Sequence, residues 1–241
     1  KKENMIKHYK FKTKPYAHQL EALEKSWAAS TYALFMEMGT GKSKVLVDNI
    51  AMLYDKGAIR AALIVAPKGV YKNWNDIEFP VHLPDHVEHT KVLWDPSITK
   101  KKQMELDTLF DGGDDLKILI MNVEAFSTKK GLDFAYSFLN IFLGRALIGI
   151  DESTTIKSPT AKRTKNILKI GELAKYRRIL TGSPVTKSPL DLYTQCKFLD
   201  PFYLDEASYY SFRARYANMV KRNFGGRSVQ LVTIYRRLDE L

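Results

Sequence analysis

FMEMGTGKSKVLVD, Phe35 to Asp48, is the stretch on which the reading of this chain turns. An apolar run, Tyr32 to Met36, leads into a turn holding Gly39 and Gly41. Lys42 and Ser43 follow at once, and then a segment of helical character. Strand, glycine turn, lysine, hydroxyl and helix is the order of a phosphate-binding loop. The glycines let backbone N–H groups converge on phosphate oxygens, because only glycine tolerates the positive φ and the close approach. Met38, Gly39, Thr40, Gly41, Lys42, Ser43 and Lys44 are therefore the candidate phosphate-binding residues. Lys42 would reach the β- and γ-phosphates, the Ser43 hydroxyl would bind Mg²⁺, and the helix N-terminus adds partial positive charge. The strict pattern G-x-x-x-x-G-K-[ST] wants glycine where this chain has Met36, so a solvated glycine turn stands as the alternative on this stretch alone.

Working outward, 241 residues with 45% hydrophobic content fit one large domain, or one domain with an appendage, and exclude a disordered tail. The single cysteine, Cys196, excludes an internal disulfide or a cysteine zinc cluster and favours a reducing compartment. Lys1 to Lys14 is basic without an apolar segment, and Ile141 to Ile150 is interrupted by Arg145 and too short to span a bilayer. The expectation is a soluble intracellular protein, cytoplasmic in a bacterial or viral setting or else nuclear, with no membrane partner. Lys and Arg outnumber Asp and Glu by 38 to 27, giving a net +11, which suits a polyanionic partner such as nucleic acid.

Upstream of the loop, KPYAHQLEAL (Lys14 to Leu23) places Pro15 before a helical pattern. Tyr16 could stack on a purine, and the Gln19 amide can pair with N6 and N7 of adenine. Downstream, AALIVAP (Ala61 to Pro67) is a continuous apolar run, as in a parallel strand covered on both faces. Helix KGVYKNWNDIEF, strand TKVLW, a helix from Ile98 to Phe110, turn DGGDD, strand KILIMN, an aromatic helix around Phe134 to Leu139 and strand ALIGI follow in turn. This alternation predicts an open α/β sheet whose sites lie at the carboxyl ends of the strands.

Asp151 and Glu152 stand at the end of ALIGI (Ala146 to Ile150), where buried carboxylates are costly unless paired or metal-bound. In an ATP site Asp151 would hold Mg²⁺ together with Ser43, and Glu152 would activate the attacking water; as structure, Asp151 could cap the next helix. Strand RILTG ends in Thr181, Gly182 and Ser183, whose small hydroxyl groups suit a coupling element. Beyond Pro201, aromatics interleave with Arg213, Arg215, Lys221 and Arg222, which reads as packed helices with exposed basic faces, with a nucleic-acid surface as the alternative; NFGG is a turn and SVQLVTIY a possible strand.

Five stretches in this order resemble the first lobe of a superfamily-two helicase or translocase, most closely the Swi/Snf-type family of DNA translocases. KPYAHQLEAL resembles that family's adenine-reading Q motif, and MEMGTGKS is similar to D-E-M-G-x-G-K-T, which also lacks the first glycine. LIVAPKGVYKNW looks like motif Ia, ILIMNVEAF like motif Ib, and IGIDESTTIKSP like the D-E-A-H-x-x-K-[NS] box. LTGSPVTKSPLDLYTQCKFLDP is similar to L-T-G-T-P-x-x-N-x-x-x-[DE]-L-[WY]-x-x-x-x-F-L-D-P.

The resemblance implies a RecA-like P-loop lobe over residues 1–200, with 201–241 a helical protrusion and the start of a linker. It implies ATP and Mg²⁺ as cofactors and double-stranded DNA as the track, with Pro67, Lys68, Lys72, Asn122 and Lys157 as phosphate-contacting candidates, joined by Lys162 and Arg163. Ser153 and Thr154 replace the family's Ala and His, so Thr154 takes the coupling position with a group that hydrogen-bonds but carries no proton's charge. Efficient hydrolysis is expected to need a second RecA-like lobe, in cis or in trans, that supplies arginine fingers. The alternatives are an RNA helicase, a restriction-system translocase lobe and a non-catalytic nucleic-acid-binding module.

Overall fold

The structure, a computed structural model, describes Ile6 and residues 8–97, 99–224 and 227–241. Strands β1 (Thr31–Phe35), β2 (Ala61–Ala66), β3 (His89–Leu93), β4 (Leu116–Asn122), β5 (Ala146–Asp151) and β6 (Tyr176–Thr181) form one sheet, ordered β1-β6-β5-β2-β4-β3. Every neighbouring pair is parallel. Burial along the strands follows from that order. The inner strands β2 and β4 are buried at every position, whereas the edge strands β1 and β3 are buried at one position each. An inner parallel strand has helices over both faces, so its apolar run must be continuous.

Helices α1 (Ala17–Ser26) and α2 (Lys42–Asp55) cover one face, with a composite helix α3 of three pieces: Tyr71–Asn73, a π-helical turn Trp74–Glu78, and Phe79–His82. Leu23, Trp27, Val45, Leu46, Ile50, Trp74 and Phe79 pack there against Ile64, Ile118 and Leu147. Helices α4 (Lys100–Asp107), α5 (Lys129–Ile141), α6 (Lys162–Gly171) and α7 (Leu192–Leu199) cover the other face, where Leu106, Phe138, Ile167 and Phe198 meet Leu63, Leu119 and Ile148. The expected α/β sheet is thus observed, with the helix expected from Ile98 described from Lys100 and Ile98 itself outside the described residues.

The segment after Pro201 differs from the helical extension expected of it. Helix α8 (Tyr209–Tyr216) is followed by an antiparallel hairpin of β7 (Ala217–Phe224) and β8 (Arg227–Tyr235), with a bulge between Asn218 and Met219. Met219, Val232 and Tyr235 pack beside Tyr193, Phe212 and Tyr216, so the hairpin gains an apolar face to rest on. An isolated hairpin is marginal in water, and that platform is what favours strand over helix here. The glycine pair of the expected NFGG turn lies outside the described residues. Among the described residues no helix is long and apolar enough to cross a membrane.

Candidate functional site

The segments that follow the carboxyl ends of β1, β2 and β5 converge on a pocket of about 340 Å³. Gly39 and Gly41 line it with φ of 78° and 82°, backbone that a side chain rarely adopts. Gly41 is doubly constrained, since a Cβ there would lie 2.3 Å from Gln19 Nε2. Lys42 and Ser43 open α2 and line the same pocket. The Lys42 ammonium donates to the carbonyls of Met36 (3.0 Å) and Glu37 (3.1 Å), which hold it over the loop. Met38 stands 87% exposed and lines neither this pocket nor the neighbouring one.

Asp151 and Glu152 line the opposite side. Asp151 is fixed at both oxygens: Oδ2 accepts from Trp74 Nε1 at 2.9 Å and Oδ1 from the Glu152 backbone N–H at 3.0 Å. Burial pushes its carboxyl above the usual carboxylate range; the Trp74 donor opposes this, while the Glu152 charge adds to it. Glu152 has left-handed backbone (φ 48°), a conformation that costs a non-glycine residue about 1–3 kcal/mol and clusters at functional sites. Four further residues line the pocket that sequence reasoning missed: Val70, Asn73, and Trp74 and Glu78 of the π-helical turn. Burial, and then the Asp151 charge, raise the Glu78 carboxyl. Among the described residues no three His, Cys, Asp or Glu side chains could hold a metal by themselves. That donor set fits Mg²⁺, which takes one or two carboxylates and completes its shell with waters and phosphate oxygens.

A second pocket of about 300 Å³ adjoins the loop, lined by Tyr16, His18, Gln19, Thr40, Lys44 and His82 among others. Tyr16 is 70% exposed and stacks on His18 with ring centroids 5.9 Å apart. Gln19 is buried and tied at both ends: Oε1 accepts from Tyr16 N–H (3.0 Å) and Nε2 donates to the Thr40 carbonyl (3.0 Å). One lone pair and one N–H of this amide remain for a base. The expectation for Lys44 needs correction at the level of its side chain. Its ammonium is turned beneath the loop, donating to Asp48 Oδ2 (2.8 Å) and Thr13 O (2.9 Å), because one step along a helix rotates a side chain by about 100° from its neighbour Ser43.

The coupling candidates divide. Thr181 Oγ1 donates to Glu152 Oε2 at 3.4 Å and accepts from the Ser183 N–H at 3.1 Å. Gly182 touches the phosphate loop, where a Cβ would stand 3.3 Å from Met38 N. Thr154, by contrast, makes no side-chain hydrogen bond among the described residues; its neighbour Ser153 does. Ser153 Oγ donates to Gln195 Oε1 (2.6 Å), and Gln195 Nε2 donates to the carbonyls of Pro184 and Asp191 (both 2.8 Å). Both side chains are fully buried, so the acidic strand end is tied to the 181–184 loop through Ser153.

With this geometry in view, the profile of the SNF2-related domain matches residues 18–238. The chain belongs to this family. It is 30% identical over 196 residues to the probable ATP-dependent DNA helicase CHR12 of Arabidopsis thaliana, covering 77% of this chain and 16% of that protein. It is 26% identical over 230 residues to Protein CHROMATIN REMODELING 24 of the same plant, covering 88% and 19%. The chain thus spans less than a fifth of the length of these relatives. In fold it is similar to the Sulfolobus solfataricus SWI2/SNF2 ATPase core, solved in complex with dsDNA (TM-score 0.67, 22% identity, covering 86% of this chain and 40% of that one). The UvsW helicase of bacteriophage T4 shares the fold more loosely (TM-score 0.55, 13% identity, 78% and 58%). The Swi/Snf-type first lobe expected from the motifs is borne out.

On this SNF2-related lobe the nucleic-acid candidates occupy different settings. Pro67 and Lys68 follow the carboxyl end of β2, and Lys68 and Lys72 are exposed. Asn122 ends β4 but is buried, its amide donating to Glu124 Oε2 at 3.1 Å. Lys157 is engaged by Thr186 and, at 3.5 Å, by Asp191. Lys162 is exposed, and Arg163 donates to the Thr155 carbonyl at 3.0 Å. Lys68, Lys72 and Lys162 are exposed and make no side-chain hydrogen bond or ion pair among the described residues.

Proposed function

We propose that this chain is the ATP-binding lobe of an ATP-dependent motor that moves along double-stranded DNA and hydrolyses ATP with a second RecA-like lobe, in cis or in trans. The observation that carries the reading is the convergence of Lys42, Ser43, Asp151 and Glu152 on one pocket at the carboxyl ends of β1 and β5. Lys42 exchanges the Met36 and Glu37 carbonyls for β- and γ-phosphate oxygens, and the loop N–H groups and α2 N-terminus cradle the same oxygens. Ser43 and Asp151 would hold Mg²⁺, which would supply charge neutralisation at the phosphates when bound. Glu152 orients and deprotonates the attacking water, and Thr181 steadies it. Tyr16 and Gln19 receive the adenine. The relatives' names and the duplex-bound Sulfolobus core favour DNA over RNA as the track, in a nucleus or in a bacterial or virus-infected cytoplasm.

The test is adenine-nucleotide binding with Mg²⁺, together with competition among duplex DNA, single strands and RNA. Lys42→Ala is expected to weaken nucleotide binding at least tenfold, and duplex DNA to compete best. Nucleotide binding that survives Lys42→Ala overturns the assignment of the pocket, and a preference for RNA overturns the track. Glu152→Gln is expected to keep MgATP binding while removing turnover in the presence of the second lobe.

A further inference from the structure

We propose that the π-helical turn of α3 completes the metal end of the pocket: Trp74 is the positioning residue for Asp151, and Glu78 makes the pocket select nucleotide that carries its divalent cation. This rests on the nucleotide reading above and adds two residues to it.

The π turn has a geometric cause. Phe79 N–H bonds to the Trp74 carbonyl, an i to i+5 closure. Trp74 and Phe79 are both 1% exposed and lie in one core cluster with ring centroids 6.0 Å apart. On a regular α-helix, residues five apart point about 140° away from each other, so both could not face that core. The wider turn brings them together, and such turns recur at functional sites. Its consequence is that a fully buried indole delivers its one N–H to Asp151 Oδ2 at 2.9 Å, across 77 residues of sequence. With the Glu152 N–H on Oδ1, the carboxylate is held at both ends and its remaining lone pairs are presented to the pocket in one orientation. Donors of this kind outside the ligand set fix ligand orientation and typically carry 10–100-fold in metal affinity.

Glu78 does the second part. The side chains lining the pocket include three carboxylates, Glu78, Asp151 and Glu152, against a single ammonium, Lys42. The ion-pair partner of Glu78 among the described residues is the His82 imidazole, 3.8 Å from Nε2 to Oε2. Burial, and then the Lys44 charge, hold His82 below the ordinary histidine value and so favour its neutral form, and its Nδ1 is engaged by Thr13 Oγ1 at 2.8 Å. A bare polyphosphate entering this pocket meets net negative charge at short range, where unscreened repulsion is strong. A divalent cation between phosphate and carboxylates converts that repulsion into attraction. Glu78 lies outside the phosphate loop and outside the Asp151–Glu152 pair, so its charge can be removed with both left in place.

The experiment measures ADP affinity by titration calorimetry in Mg²⁺ and in EDTA, and Mn²⁺ affinity by electron paramagnetic resonance in the presence of ADP. Trp74→Phe keeps an aromatic ring against Phe79 and loses the donor. It is expected to weaken Mn²⁺ binding about tenfold while leaving ADP affinity in EDTA unchanged. Glu78→Gln is expected to tighten ADP binding in EDTA several-fold and so narrow the ratio between the two conditions. Trp94→Phe, which alters a buried indole in the other core cluster, is expected to match wild type in both measurements. Wild-type Mn²⁺ affinity in a folded Trp74→Phe variant overturns the positioning role, and unchanged EDTA affinity in Glu78→Gln overturns the selection role. Should Trp74→Phe lose its thermal unfolding transition, Glu78→Gln decides the proposal alone. A wild-type chain that binds ADP under neither condition overturns the nucleotide reading itself, a result distinct from variants that bind like wild type.

Discussion

The buried pair beneath the phosphate loop gives the sharpest stability prediction. Lys44 and Asp48 are 5% and 1% exposed, one turn apart on α2, with Nζ and Oδ2 at 2.8 Å. Lys44 is further satisfied by the Thr13 carbonyl and lies 5.5 Å from the Phe11 ring centre, but Asp48 Oδ1 has no partner among the described residues. Burial therefore outweighs the attraction of Lys44 and lifts the Asp48 carboxyl from 3.8 to about 6. A raised carboxyl means that the folded chain binds the proton more tightly than the unfolded one, so stability falls as pH rises between these values. A shift of that size corresponds to about 3 kcal/mol. Asp48→Asn resembles the protonated form permanently and should lack this fall. Below about pH 6 the protonated wild-type carboxyl forms no ion pair with Lys44 either, so any difference in fit between the Asp and Asn side chains enters as a constant offset. Urea unfolding at pH 4 to 8 separates that offset from the titration. Between the ends of that range the stability difference should move toward the variant by about 3 kcal/mol. A flat difference, or one moving toward wild type with rising pH, would refute the reasoning, because Lys44 would then outweigh desolvation.

Gly41→Ala combines a φ of 82° with a Cβ 2.3 Å from Gln19 Nε2, so thermal unfolding should report a loss of about 1–3 kcal/mol, partly recovered by adding Gln19→Ala. Arg178 is fully buried, and burial draws its guanidinium down to about 10. It donates to Asn49 Oδ1 and to the carbonyls of Ser26, Ala29, Ser30 and Arg177, closing the carboxyl end of α1. Arg178→Met strands these acceptors and should cost at least about 3 kcal/mol in urea unfolding. Ser153→Ala leaves Gln195 Oε1 without its donor; a loss of about 1–3 kcal/mol and faster proteolysis at residues 183–188 are expected. Thr154→Ala should stay within about 0.5 kcal/mol of wild type.

What the sequence disclosed and what it hid divide along the reach of each interaction. The glycine loop is legible because it is built from consecutive residues: Gly39 and Gly41 supply the backbone, and Lys42 and Ser43 the charge and hydroxyl. The parallel sheet is legible because burial on both faces leaves no polar positions in β2 and few in β4. Lys44 marks where local reading stops. Nothing in KSK says that one step along α2 turns the ammonium to Asp48 and Thr13 instead of to phosphate. Trp74 and Glu78 were hidden for a second reason: WNDIE has no local mark of a π turn, which is set by Trp74 and Phe79 facing one core. Of the hairpin, the strand over SVQLVTIY was expected and β7 was missed, because β7 takes its strand form from β8 and from Tyr193 and Phe212, not from its own basic sequence. Ser153 and Thr154 make the point most narrowly. Both are adjacent hydroxyl residues after the acidic pair, and family resemblance singled out Thr154. A glutamine 42 positions away selects Ser153, because only Ser153 faces the interior where Gln195 lies. The tie between the acidic strand end and α7 is therefore a property of the packed interface between the turn Ser153–Ile156 and α7, and its test is a substitution at either end of that single bond.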